Sequence, residues 1–161
     1  VMEEAGISML EEPTPALEPL GRRRLAARTS IPILGDESVT RMGDIATQIL
    51  DDHSQMISIK TARTGFSESE RIVGMCEGLG VGLAMGSQMD GMVGTLGTLA
   101  FGAAFKSTSE RAGELDYFLQ LTDDILAEPL VIADGKMAVL DRPGVGIEID
   151  EDKLAHYRVD K

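Results

Sequence analysis

The stretch IPILGDESVTRMGDIATQILDDHSQMISIK, residues 31–60, decides the fold. It opens with a short apolar run at residues 31–34, which is followed by a Gly-Asp pair. Residues 39–52 place apolar side chains at helical intervals, and a second apolar run occupies residues 56–59. A strand, a helix and a second strand with short connections are typical of a parallel sheet with helical crossovers. The stretch therefore predicts one β/α/β unit.

The same pattern continues on both sides of this stretch. Each apolar run ends in a polar residue, and these residues recur at intervals of 25, 24, 30 and 24 positions: Glu11, Asp36, Lys60, Asp90 and Glu114. Residues 114–118, which begin at Glu114, are a weaker candidate for a fifth strand. A polar residue at the carboxyl end of every strand suits the active site of a (β/α)-barrel. A doubly wound sheet, the alternative, gathers its ligands at a single switch point. The sequence therefore favours an α/β fold that is part of a (β/α)8-type barrel.

The extent of the pattern predicts how much of a barrel is present. A complete barrel takes about 250 residues, and the five units here correspond to about strands 4–8. We therefore expect residues 1–128 to be the C-terminal part of a barrel in a longer protein. Residues 129–161 differ, because they predict a hairpin with an Asp134-Gly135 turn and a short helix over 151–158. This tail is expected to pack toward a further domain.

Composition excludes several classes of function. The chain has 161 residues and carries 27 acidic against 15 basic side chains, a formal charge of −12. Such a surface repels nucleic-acid phosphate and anionic lipid. The apolar stretch 91–105 is too short to span a bilayer and predicts instead a buried core helix over residues 91–111. The single cysteine excludes an internal disulfide. With no secretion signal at its start, the chain is expected in the cytoplasm.

Three successive strand ends suggest metal-assisted proton chemistry. Glu11 and Asp36 end adjacent strands, which lie roughly 4.8 Å apart in a parallel sheet, so their carboxylates can converge on one cation. Oxygen ligands favour Mg²⁺ or Mn²⁺. Lys60 ends the next strand and can act as a general acid or base there. The alternative interpretation makes these carboxylates helix caps and Lys60 a solvated strand-end lysine.

Other polar residues near these strand ends predict supporting or surface roles. Glu12 and Glu37 are expected to support the ligands rather than to bind the metal. The triplet Arg22–Arg24 is expected on a solvated helix face. Arg63 fits either a contact with a substrate carboxylate or a surface position, and His53 is isolated.

These residues together resemble a known family. The resemblance lies in Glu11-Glu12-Pro13, Gly35-Asp36-Glu37-Ser38, Ile59-Lys60 with Thr64-Gly65, Gly113-Glu114-Leu115, Asp124–Pro129 and Arg142-Pro143-Gly144 with Gly146. In this order and spacing they are similar to the C-terminal barrel of the enolase superfamily, in its muconate-lactonizing subgroup. The resemblance covers the whole chain.

The resemblance implies a role for each strand-end residue. Glu11 and Asp36 would be the second and third metal ligands, and Lys60 would be the lysine that faces the substrate. Glu114 falls where the family has a glutamate at the eighth strand, and Asp90 stands at the seventh-strand end, where many relatives carry glutamate instead. Both are predicted to be catalytic residues. The first metal ligand, a lysine pair and the N-terminal capping domain would lie outside this chain.

The resemblance also implies an activity. The expected reaction is cycloisomerisation of cis,cis-muconate, or a substituted muconate, to a muconolactone through an enolate that Mg²⁺ or Mn²⁺ stabilises. The substrate would be a small dicarboxylate and the enzyme a homo-oligomer, while residues 1–161 alone would be inactive. The alternatives in the same subgroup are an N-acylamino-acid racemase, a dipeptide epimerase and an o-succinylbenzoate synthase. Glu114-Leu115-Asp116 lacks the Asp-x-Asp typical of dipeptide epimerases.

Overall fold

A parallel sheet organises the chain in the computed structural model, which describes residues 2–160. Its strands are β1 (Leu10–Glu11), β2 (Ile33–Gly35), β3 (Met56–Ile59) and β4 (Gly82–Met85). All neighbours are parallel, and the spatial order β1-β2-β3-β4 follows the order in the chain. A doubly wound sheet reverses its order at a switch point, and this sheet does not. The sheet therefore confirms the prediction of a partial barrel.

Helices connect the strands, as the periodicity predicts. They are α1 (Pro19–Ala26), α2 (Met42–Leu50), α3 (Thr61–Leu79), α4 (Met92–Ala104), α5 (Lys106–Ser109) and α6 (Glu151–Tyr157). The helix predicted over residues 91–111 is divided in two, because Phe105 has an extended backbone between α4 and α5. Within the part of the chain that the structure describes, no helix is long and apolar enough to cross a membrane.

The predicted fifth strand, which begins at Glu114, is wrong beyond its first residue. Glu114 forms one parallel bridge with Gly86, and the chain then turns into a short 3₁₀ helix, Tyr117–Gln120. Leu115 and Phe118 are both buried there. Residues three apart lie on the same side of such a turn but on opposite sides of a strand, so the turn buries both.

The two faces of the sheet carry different side chains, because successive residues of a strand alternate between the faces. The face toward the helices forms the main core, which includes Ile57, Ile59, Leu83, Ile72 and Cys76. The opposite face carries a smaller cluster of Leu34, Met56 and Ala84, with Met9 packed against it. This second face bears the strand-end residues that the sequence singles out.

The tail folds back on the chain before it. Leu126 and Ile149 form an antiparallel bridge, and Asp150 caps α6, the short helix that the sequence predicts at this position. The predicted hairpin is reduced to one bridge between Ala133 and Lys136, although Asp134 and Gly135 both take the positive φ angles of a type I′ turn. The domain boundary at residue 128 stays a prediction.

One carboxylate fastens α6 to the preceding segment. Asp123 accepts hydrogen bonds from Lys153 Nζ at 2.7 Å and from the Tyr157 hydroxyl at 3.0 Å. The hydrogen bond from Lys153, with those from the Asp124 backbone and Tyr157, lowers the pKa of Asp123 from 3.8 to about 2. A carboxyl whose pKa is lower in the folded state stabilises that state above its unfolded pKa and stops doing so as pH falls.

We therefore expect α6 to loosen as pH falls from about 4 to about 2. The Asp123→Asn variant is expected to loosen it already at neutral pH, because the charged acceptor for Lys153 is lost. Amide hydrogen exchange of α6 measures both effects. Asp160→Asn is the matched control, since Asp160 pairs with Arg158 only two residues away. Equal exchange in the two variants would contradict the prediction.

Candidate active site

Register and alternation place three strand-end residues on one face of the sheet. Glu11 pairs with Leu34, and Leu34 pairs with Met56, so these three share a face. Asp36 lies two residues after Leu34 and Lys60 four after Met56, which returns both to that face because side chains alternate. The short apolar runs therefore bring Glu11, Asp36 and Lys60 together at the carboxyl ends of β1, β2 and β3.

A single bridge places Glu114 at the same edge of the sheet. It pairs with Gly86 just after β4, and its backbone N–H donates to the Met85 carbonyl at 2.9 Å. Its side chain is exposed. The backbone of Glu114 therefore lies beside the end of β4, and its catalytic role stays a prediction.

Asp36 is the buried centre of this charge cluster. It is 2% exposed, and its Oδ2 accepts from Lys60 Nζ at 2.5 Å while its Oδ1 accepts from Arg63 Nη1 at 3.1 Å. Burial acts to raise the pKa of Asp36, but the hydrogen bond and charge of Lys60, with Arg63, outweigh it and lower the pKa. Asp36 is therefore held ionised. Arg63 lies in the first turn of α3 against Asp36 and not on the open surface.

Glu11 has the opposite electrostatic surroundings. Partial desolvation raises its pKa, and the negative charges of Asp36 and Glu114 raise it further, although Lys60 acts in the other direction. These carboxylates lie close enough to repel one another. A bound cation would relieve this repulsion, so the arrangement suits a positively charged ligand.

Glu12 supports the loop that carries Asp36, in agreement with its expected role. Its Oε2 accepts from the Asp36 backbone N–H at 2.7 Å and from the Ser38 hydroxyl at 3.0 Å. Its own backbone has a φ of 36°, which non-glycine residues rarely adopt. Glu37, in contrast, is exposed.

The expectation that Arg22–Arg24 form a solvated face is wrong for Arg22. Its neighbours Arg23 and Arg24 are exposed, but Arg22 is 1% exposed and forms an ion pair with Glu12. A signal for this was present in the sequence. Arg22 lies three and four residues before Leu25 and Ala26, and such positions share one helix face.

Asp90 makes local contacts. It is 9% exposed, and its Oδ2 accepts from the Gln88 backbone N–H at 2.9 Å and from the Ser87 hydroxyl at 3.4 Å. These bonds stabilise the turn between β4 and α4. Its catalytic role stays a prediction that this geometry does not support.

Gly86 leaves the space that Lys60 occupies. A Cβ atom at Gly86 would lie 2.8 Å from the Ser58 hydroxyl, closer than such atoms pack, and 3.0 Å from Lys60 Cε, a contact tighter than most. The absence of a side chain at Gly86 therefore lets the Lys60 stem run along the sheet toward Asp36.

The oxygen donors at this edge suit part of a metal site. Glu11 and Asp36 offer carboxylate oxygens, the ligands that Mg²⁺ and Mn²⁺ prefer. Among residues 2–160, no group of three or more His, Cys, Asp or Glu side chains is placed to hold a metal ion. The described residues therefore fit a hard cation as two of its ligands and not as a complete set.

Known proteins match the chain along most of its length. It is 48% identical to a muconate lactonizing enzyme from Mycobacterium smegmatis, with a TM-score of 0.95 over 99% of this chain and 45% of that one. A structure of that enzyme complexed with muconolactone matches with the same identity and TM-score. Muconate cycloisomerase 1 of Pseudomonas putida is 29% identical over 160 residues, which are 98% of this chain.

The match is to part of each relative. The chain spans about two fifths of the Pseudomonas putida enzyme, 42% of its length. The model of the enolase C-terminal domain-like family matches residues 1–153. The parallel sheet, the charged residues at its carboxyl edge and this match agree, and the chain belongs to the enolase C-terminal domain-like family.

Proposed function

We propose that the full-length protein containing this chain is a cycloisomerase that converts cis,cis-muconate, or a substituted muconate, to a muconolactone. The observation that carries the proposal is the cluster of Glu11, Asp36 and Lys60 at one sheet edge, in a chain 48% identical to a muconate lactonizing enzyme. A homo-oligomeric assembly and a cytoplasmic location stay predictions from the sequence.

Glu11 and Asp36 would hold a divalent cation, Mg²⁺ or Mn²⁺, with the remaining ligand from outside this chain. The cation would supply electrostatic stabilisation of negative charge as it develops on the substrate. Lys60 and Arg63 keep Asp36 ionised and fix its carboxylate, so the ligand is preorganised.

Lys60 is the proposed proton donor. In the proposed reaction one substrate carboxylate oxygen forms a C–O bond to a double-bond carbon. The electron pair of that double bond moves toward the second carboxylate, and the adjacent carbon then takes a proton. Lys60 Nζ lies beside Asp36 and carries that proton to the substrate. Glu114, exposed at the same edge, borders the space in which the substrate would bind.

The proposal is tested on the full-length protein by following the loss of cis,cis-muconate absorbance. We expect loss with Mn²⁺, none after treatment with EDTA, and recovery when Mn²⁺ is returned. The contrary result is a protein that leaves muconate unchanged and epimerises an N-acylamino acid or a dipeptide, or forms o-succinylbenzoate. That result would contradict the proposed activity but would be consistent with the same family.

Residues 1–161 alone are expected to show negligible turnover. Glu11 and Asp36 would supply two of three metal carboxylates, and the resemblance assigns the first ligand and a lysine pair to residues outside this chain. The measurement is muconate loss with the purified piece beside the full-length protein at equal Mn²⁺. Turnover by the piece at a rate near that of the full-length protein would contradict this prediction.

Gly86→Ala is expected to lower kcat by roughly 10–100-fold, because displacing a reacting group by about 1 Å can cost that much. The new methyl group would push Lys60 away from its position beside Asp36. Gly74→Ala is the matched control, since a Cβ atom there meets nothing within 4 Å. Steady-state kinetics and melting temperature measure the two variants. Equal kcat values would contradict the prediction.

A further inference from the structure

We propose that Arg22 and Glu12 act as a pair of positioning residues that set the separation of the carboxylates of Glu11 and Asp36. Arg22 does so through Glu12 and does not itself contact the ion or the substrate. This inference rests on the proposed metal site. It adds the residues that hold the two ligands of that site at a fixed separation.

Glu12 joins the two loops that carry these ligands. It follows Glu11 directly in the chain, and its backbone N–H donates to the Leu34 carbonyl at 2.9 Å. Its side chain reaches across to the next loop, where Oε2 accepts from the backbone N–H of Asp36 at 2.7 Å. One residue therefore fixes the end of β1 to the end of β2 through both its backbone and its carboxylate.

Arg22 holds the other side of Glu12 from a separate element, helix α1. Its Nη2 donates to Glu12 Oε1 and to the Thr14 carbonyl, the latter at 2.8 Å. Its Nη1 donates to the Ser38 hydroxyl at 2.5 Å and to Gln48 Oε1 at 3.3 Å. Thr14 belongs to the loop after β1, and Ser38 to the loop after β2. The planar guanidinium thus binds both ligand loops with fixed geometry, which a lysine could not reproduce.

Two features indicate more than ordinary packing. A buried ion pair gains little stability over apolar side chains of similar size, so burial of Arg22 at 1% exposure is a costly way to fill space. Glu12 also holds a left-handed backbone, with a φ of 36°. Strain of this kind persists where surrounding contacts impose it. Without Arg22 we expect the Glu12 backbone to relax and the Glu11 carboxylate to move with it.

The test is binding of Mn²⁺ alone, measured by electron paramagnetic resonance on the full-length protein after removal of its metal. Arg22→Lys keeps the charge but loses the planar set of donors. We expect its Kd for Mn²⁺ to rise about 10–100-fold, the typical cost of losing a residue that orients a metal ligand. Arg23→Lys is the matched control, because Arg23 is the next residue and is exposed. It is expected to bind like the wild type.

A second variant removes the link with little change in packing. Ser38→Ala deletes the hydroxyl that donates to Glu12 and accepts from Arg22, and it is expected to weaken Mn²⁺ binding in the same direction. Ser38→Ala takes the place of Arg22→Lys in the test if circular dichroism shows that Arg22→Lys is not folded. Saturating Mn²⁺ is expected to restore much of kcat in a folded variant, which a purely structural defect would not predict.

The outcomes separate this inference from the proposed function. Mn²⁺ binding by the Glu11→Gln variant and muconate turnover by the wild type are measured alongside the positioning variants. If the wild type binds Mn²⁺ through Glu11 and consumes muconate while Arg22→Lys and Ser38→Ala bind like the wild type, the inference is overturned and the function stands. If the wild type neither binds Mn²⁺ nor consumes muconate, the proposed function fails and the inference with it.

Discussion

Lys60→Ala in the full-length protein is expected to lower turnover of cis,cis-muconate by roughly 10²–10⁴-fold, the usual contribution of a positioned general acid or base. Lys60 is 6% exposed and points its ammonium at the cluster formed with Asp36. Alanine removes the proposed proton donor. Asp36 keeps its ion pair with Arg63 at 3.1 Å, so the carboxylate is not left unpaired and the chain is expected to fold.

Lys106→Ala is the matched control, because the Lys106 side chain is 91% exposed in a short helix away from the sheet edge. It is expected to keep the wild-type rate. The measurement is kcat for both variants at saturating Mn²⁺, with circular dichroism to establish that each is folded. A folded Lys60→Ala protein that turns muconate over at the control's rate would remove Lys60 from the reaction.

Ile57→Ala is expected to lower the free energy of unfolding by about 2–5 kcal/mol, the range measured when a large buried aliphatic side chain is cut to alanine. Ile57 has no exposed surface and lies in β3, which has a paired strand on either side. Its side chain joins the cluster that holds the sheet against α3. Alanine leaves a cavity, and the surrounding side chains cannot close it because they belong to several different elements.

Leu50→Ala is the control for this change, because Leu50 is 74% exposed at the end of α2. We expect its effect to stay within about 0.5 kcal/mol, as for most surface substitutions. Urea denaturation of both variants gives the comparison. Similar unfolding midpoints would mean that the core does not depend on β3 in the way that the structure indicates.

Periodicity predicted the sheet well, because it depends on local alternation. The apolar runs before Asp36 and Lys60 became β2 and β3, and the intervening helical spacing became α2. The run after Glu114 did not, since five residues carry too little pattern to separate a strand from a 3₁₀ turn. In the structure this segment forms a 3₁₀ turn, which buries Phe118 to 2% exposure together with Leu115 three residues earlier.

The helix after Asp90 was predicted as one piece for a related reason. Residues 91–111 contain no proline, so no residue there forces a helix to stop. In the structure Phe105 is extended, and the Thr108 hydroxyl donates to the carbonyls of Gly102 at 2.6 Å and Phe105 at 2.9 Å. A side chain therefore satisfies carbonyls at the break, which propensity alone does not reveal.

The amino-acid sequence by itself determined the parallel β/α order and the position of Glu11, Asp36 and Lys60 at successive strand ends. Both follow from spacing along the chain. Side chains alternate along a strand and parallel strands pair in order, so residues at matching strand positions lie on the same face of the sheet. Helical spacing puts Arg22 on the same face of α1 as Leu25 and Ala26. The tertiary structure alone decided which groups meet Arg22 on that face, while Arg23 and Arg24 stay exposed. Adjacent arginines are chemically identical, and what distinguishes Arg22 is that the rotation of α1 directs it toward Glu12, Thr14 and Ser38 from distant parts of the chain.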